Sequence, residues 1–161
     1  MTKIKYKISL CLILLFSIFA LLTAYTIQYI MGHQPCNLCL IERVPYAVSI
    51  IIISLNFFFQ RFEKAALIIL SLIFLLATLI SFYHFGIEQG FIKESMVCKL
   101  DIENSALTKE ALLDQLKEKN ISCKDVTFKI LGLSLATINV FISLILCIIT
   151  LKLSLRYEKN K

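Results

Sequence analysis

Glycine and proline are scarce in this chain, four and two among 161 residues. No internal repeat is present, and no low-complexity tract beyond the Ile/Leu-rich runs. A solenoid and a linker-like chain are thereby excluded. A basic face is also missing. The formal charge of +6 is spread along the ends of apolar runs, which is not the footprint of a nucleic-acid binder. No His-rich or acidic ligand cluster stands beside the cysteines in the sequence, and the apolar runs are read as free of acids that could line an ion pathway.

What is present is apolar: 58% of the residues are hydrophobic. That is too much for an ordinary soluble domain of this size and points to a helical membrane protein. A spanning helix needs about 20 apolar residues. Four runs qualify, at residues 8–30, 41–59, 65–85 and 128–151, separated by loops at about 31–40 and 86–127. The chain thus reads as a single membrane domain over residues 1–161, an all-α four-helix transmembrane bundle with one long loop between helices 3 and 4. The first run follows Lys3, Lys5 and Lys7 and resembles a signal peptide. It is longer than the usual apolar core of one and is read as a retained helix.

Charge sets the orientation. Lys3, Lys5, Lys7, Arg61, Lys64, Lys152, Arg156, Lys159 and Lys161 fall on one side, with Glu63 and Glu158 as its acids. Arg43 and seven lysines from Lys93 to Lys129 fall on the other side, where the lysines are balanced by acids from Glu88 to Asp125. Both termini are therefore expected to be cytoplasmic.

Six cysteines sort on this topology. Cys11 and Cys147 lie inside helices and read as small apolar residues. Cys36, Cys39, Cys98 and Cys123 fall on the non-cytoplasmic side, where disulfides persist. Two structural staples, a four-thiolate metal site and a dithiol relay all remain open for these four. A bond from Cys98 to Cys123 would contribute roughly 3.5 kcal/mol on the chain-entropy model. A bond across the Cys36-Asn37-Leu38-Cys39 spacing closes too small a loop to stabilise much. It does place two sulfurs at a helix start, where unpaired amides lower a thiol's pKa.

Arg43 lies one turn beyond Cys39 if the helix begins near Cys36, where its guanidinium could stabilise a Cys39 thiolate or bind a ligand carbonyl. Pro45 kinks a helix begun that early; if the helix instead starts at Pro45, Arg43 sits in its lead-in loop, close to the thiols but without a shared helical face. Gln28, Asn56, Ser71, Ser134, Asn139 and Ser143 read as interhelical hydrogen-bonding groups. Glu88 reads as a solvated loop residue. Residues 106–119, ALTKEALLDQLKEK, read as a short amphipathic helix, at the membrane surface or in solvent.

The segments PCNLCLIERVPY, YHFGIEQG and GLSLATIN, with paired loop cysteines between the last two, closely resemble the disulfide bond formation protein B family. The resemblance covers essentially the whole chain. It implies a bacterial inner-membrane enzyme that reoxidises a periplasmic DsbA-type dithiol oxidase and passes the electrons to a membrane quinone, ubiquinone or menaquinone. It implies that Cys36 and Cys39 exchange electrons with the quinone, Cys39 being the sulfur that meets it. Cys98 and Cys123 would be the loop disulfide, with Cys98 attacked by the partner and Cys123 then reducing the Cys36–Cys39 bond. Arg43 and His84 would lie at the quinone, and no metal is implied. A vitamin K epoxide reductase-like relay is the nearest alternative, but there the loop cysteines precede the CxxC. A metal-binding carrier is a more distant one.

Overall fold

The computed structural model describes residues 3–59, 63–93, 123, 129–130 and 133–159. Cys98 and the 106–119 segment lie outside them.

Among the described residues, five helices and two short paired strands follow one another. They are α1 (Lys3–Tyr29), α2 (Asn37–Ile41), α3 (Val44–Phe58), α4 (Glu63–Glu88), strands β1 (Lys129–Ile130) and β2 (Leu133–Ser134), and α5 (Leu135–Lys159). Four stretches are long and apolar enough to cross a membrane: Tyr6–Tyr29, Asn37–Phe58 (α2 with α3), Glu63–Glu88 and Leu135–Arg156.

Burial runs opposite to that of a soluble bundle. Leu12, Phe19, Leu22, Leu72, Phe82 and Leu155 face outward, while Ser17, Ser49, Ser81, Ser143 and Thr150 are fully buried. Apolar side chains face lipid at no cost, and polar ones must find partners inside. Ser17 and Ser49 meet at 3.0 Å between α1 and α3. Each hydroxyl also lies within hydrogen-bonding distance of its own helix, at Ile13 O and Tyr46 O, so one can donate to its backbone while the other donates across to it and joins the two helices.

The closely packed pairs are α1–α3, α3–α4 and α4–α5, the last the most extensive. One core joins Tyr6, Leu10 and Ile13 of α1 to Tyr46 and Ile53, to Leu67, Leu70 and Phe74, and to Leu146 and Leu153. Tyr6 also donates to Asn56 and to the carbonyl of Glu63. The start of α1, the α3–α4 connection and the far half of α5 therefore share one end of the bundle. A second cluster at the opposite end contains Cys36, Leu38, Ile87 and Cys123.

Three boundaries differ from the sequence expectation. Helix α4 continues past residue 85 to Glu88, so Glu88 is helical. Its side chain is only 6% exposed, so it is not a solvated loop residue. Residues 129–130 and 133–134 pair as antiparallel strands, Lys129 with Ser134 and Ile130 with Leu133, and α5 starts only at Leu135. The second span is broken. Pro45 lacks the N–H that would reach back to Ile41, so α2 ends there and α3 restarts with Arg43 as its N-cap. Cys11 also departs from expectation, because it faces outward, whereas Cys147 is buried and donates to the carbonyl of Ser71.

Candidate active site

Two local rules position the cysteine pair. Gly32, at a φ of +70°, turns the chain after α1 through a conformation that only glycine adopts freely. Pro35 then leads into α2, whose N-cap is Cys36. The Cys36 sulfur accepts the backbone N–H of Cys39 at 3.4 Å. This is the capping role of a Ser or Asp oxygen, taken by sulfur.

The two sulfurs are 3.1 Å apart, and among the described residues no disulfide is formed. Cys123 packs on Cys36 from across the loop. The Cys36 thiol is held well below the ordinary thiol range. The main cause is hydrogen bonding from Cys123, then from Cys39, with burial opposing them and His84 assisting. These hydrogen bonds favour the thiolate form of Cys36.

His84 stands behind this sulfur. Its Nε2 is 3.6 Å from Cys36 Sγ, and its Nδ1 is 2.8 Å from Glu42 Oε1. With Nδ1–H donated to the carboxylate, Nε2 is left facing the thiol. Glu88, one turn along α4, brings Oε1 to 3.8 Å from the same Nε2. The other Glu88 oxygen accepts from Ser134, at the end of the strand pair that displaced the start of α5.

Glu42 is held on both sides. Its Oε2 accepts from Asn139 Nδ2 at 2.9 Å. That same amide donates to Ser81 Oγ at 2.8 Å, while Tyr46 OH donates to Asn139 Oδ1 at 2.5 Å. Groups from α3, α4 and α5, with Glu42 at the α2–α3 break, therefore meet in one buried polar network.

A cavity of about 310 Å³ opens beside these groups. Cys36, Cys39, Glu42, Arg43, His84 and Cys123 line it together with apolar faces of α1 and α5. Arg43 is on its wall. Nη1 donates to Gln28 Oε1 at 2.5 Å, and the guanidinium lies 5.2 Å from the centre of the Tyr25 ring. The side chain thus reaches toward α1.

Sequence reading passed over Glu42 and misjudged Glu88. Both are acids within the apolar spans, and both are next to His84. The thiols therefore do have an acidic cluster beside them, one that is gathered by the fold around His84 and does not stand together in the sequence. The available signals were the His84–Glu88 spacing of four, which puts both on one helical face, and an acid set between Cys39 and Arg43.

A family model for disulfide bond formation protein DsbB matches residues 6–153. The chain is also similar to the uncharacterized protein RP370 of Rickettsia prowazekii (strain Madrid E), with 32% identity over 160 residues, covering 98% of this chain and 92% of that one. No solved structure matches.

Proposed function

The chain belongs to the DsbB family of disulfide bond formation proteins, whose members are disulfide-forming oxidoreductases, and from that premise we propose that it moves electrons from a periplasmic DsbA-type dithiol to a membrane quinone. The observation that carries this reading is the packing of Cys123 against Cys36, with Cys36 and Cys39 on the wall of a cavity among apolar helices.

The cavity fits such an acceptor. Its volume is at the lower end of small-molecule sites, enough for a headgroup. Its walls are apolar from Phe16, Ala20 and Ile142, and Arg43 supplies one cationic donor. A quinone bound there takes up two electrons and two protons as the dithiol becomes a disulfide.

The chain's own residues order the transfer. The partner's thiolate attacks Cys98 of a Cys98–Cys123 disulfide and releases Cys123. The Cys123 thiolate attacks Cys36 of the Cys36–Cys39 disulfide and releases Cys39 as thiolate. The partner's second thiol attacks its bond to Cys98 and leaves as a disulfide; the freed Cys98 thiolate then attacks Cys123 of the Cys123–Cys36 bond, which restores the loop disulfide and releases Cys36. His84 Nε2, facing Cys36, holds the proton that this thiol surrenders, and Glu42 fixes the ring for that task. Cys39 and Arg43 face the cavity where the electrons leave.

A strong electron sink is required. DsbA-type oxidases work near about −120 mV, whereas ordinary secreted disulfides lie below roughly −300 mV, a gap of roughly 8 kcal/mol for two electrons. The lysine distribution supports cytoplasmic termini and periplasmic cysteines, in an inner membrane. The family match sets aside the vitamin K epoxide reductase-like alternative.

The deciding experiment is quinone reduction by the purified protein supplied with a reduced DsbA-type dithiol. Turnover lost in both Cys36→Ser and Cys98→Ser supports the relay. Absence of quinone reduction by the wild-type protein overturns it.

A further inference from the structure

Cys36 Sγ, Cys39 Sγ and a ring nitrogen of His84 all lie within 4.8 Å of one another. From this juxtaposition we propose that the reduced protein binds a thiophilic cation of the zinc(II) class on Cys36, Cys39 and His84, with Cys123 as the fourth donor.

The distances suit such an ion. Zinc–sulfur bonds of about 2.3 Å and zinc–nitrogen bonds of about 2.0–2.1 Å in a tetrahedron place ligand atoms about 3.5–3.8 Å apart. Cys36 Sγ and His84 Nε2 are already 3.6 Å apart, and the two sulfurs, at 3.1 Å, need only a small rotamer opening. Cys123 packs on Cys36 but stands outside the three donors that lie within 4.8 Å of one another, so its sulfur would swing in to complete a Cys3His donor set, one of the usual structural zinc sets.

The surroundings also suit it. Metal-ligating histidines almost always donate their other ring N–H to a carboxylate or carbonyl, which fixes the tautomer. His84 does so to Glu42 at 2.8 Å, and Glu42 is itself oriented by Asn139. Both partners of that hydrogen bond are buried. The thiol protons are released as the sulfurs bind the cation, and no oxidant or reductant is consumed.

Binding is gated by redox state. A Cys36–Cys39 disulfide leaves neither sulfur as a thiolate, so the oxidised site offers one imidazole and no chelate. The reduced site binds the cation, and the bound cation withholds both sulfurs from oxidation. A site waiting for an electron acceptor is thus open to arrest by a metal. None of this depends on what occupies the cavity or which partner supplies electrons.

The test is cobalt(II) titration of the full chain in detergent, reduced and then freed of reductant without air, with no quinone or dithiol partner added. We expect one cobalt per chain, thiolate-to-metal charge-transfer absorption, the visible bands of a tetrahedral site, and stoichiometric displacement by zinc. Cys11→Ser and Cys147→Ser leave the spectrum unchanged. His84→Ala shifts the visible bands and weakens zinc binding at least 10-fold, Cys123→Ser lowers the charge-transfer intensity, and Glu42→Gln weakens zinc binding about 10- to 100-fold. Equal binding by oxidised protein, absence of a 1:1 site in the reduced wild-type chain, or a spectrum unchanged in His84→Ala or Cys123→Ser overturns the proposal. The wild-type comparison of redox states decides the matter even if a variant fails to fold.

Discussion

Glu42 Oε1 lies 2.8 Å from His84 Nδ1, joining the break between α2 and α3 to the last turns of α4 across 42 residues of chain. The pair fixes the ring that faces Cys36. Glu42→Gln keeps the shape and removes the charge. A hydrogen bond to a charged group is worth about 1.5–3 kcal/mol, so kcat/KM for quinone reduction should fall about 10- to 100-fold. Steady-state assays alongside thermal unfolding in detergent check this. Wild-type kinetics in a folded variant would leave Glu42 without a part in turnover.

Cys123 touches Cys36. In Cys39→Ser protein the usual partner of Cys36 is gone and Cys123 is the nearest sulfur among the described residues. Mild oxidation should yield a Cys36–Cys123 disulfide as the main product, identified by non-reducing peptide mass mapping. A dominant Cys36–Cys98 bond would contradict the observed packing.

Arg43 offers a planar fork whose Nη1 is held by Gln28 and whose face lies over Tyr25. Lysine keeps the charge but loses the fork and the stacking. Arg43→Lys should raise the KM for quinone on the order of 10-fold while Cys98 still exchanges with the partner. Arg43→Ala should cost more, up to about 100-fold in kcat/KM. Initial rates across quinone concentrations, beside a separate partner-exchange assay, separate the two effects.

Tyr46 donates to Asn139, which in turn holds Glu42 and Ser81. Tyr46→Phe leaves a buried amide oxygen without that donor. The loss should be about 0.5–2 kcal/mol, given the modest value of interhelical hydrogen bonds in membrane bundles. Denaturant titration in mixed micelles measures it, and an unchanged midpoint would mean that Asn139 finds another donor.

The spans and the cysteine–arginine motif were legible because they rest on composition and short spacing. The polar network was not, because each member looks ordinary alone. Glu88 reads as solvated until Ser134 and His84 are folded onto it. Glu42 attracts no reading at all until His84 and Asn139 arrive from α4 and α5. Sequence periodicity sees neighbours one turn apart, whereas burial of these acids depends on partners brought by other helices. The helical-face argument for Arg43 was the weaker one, because it needs one helix from Cys36 onward, and the helix breaks at Pro45. The Arg43 side chain meets Gln28 and Tyr25 of α1.

The cavity has α1 on one side and α5 on the other, yet the closely packed helix pairs are α1–α3, α3–α4 and α4–α5. On the proposed function, the side of the cavity between α1 and α5 is the route by which a quinone would meet it from the surrounding lipid. A hydrophobic substrate entering there never leaves the bilayer plane. Its encounter rate follows its mole fraction among lipids, not its concentration in the aqueous buffer. Adding empty micelles at constant total substrate should then slow the protein, although no residue has changed.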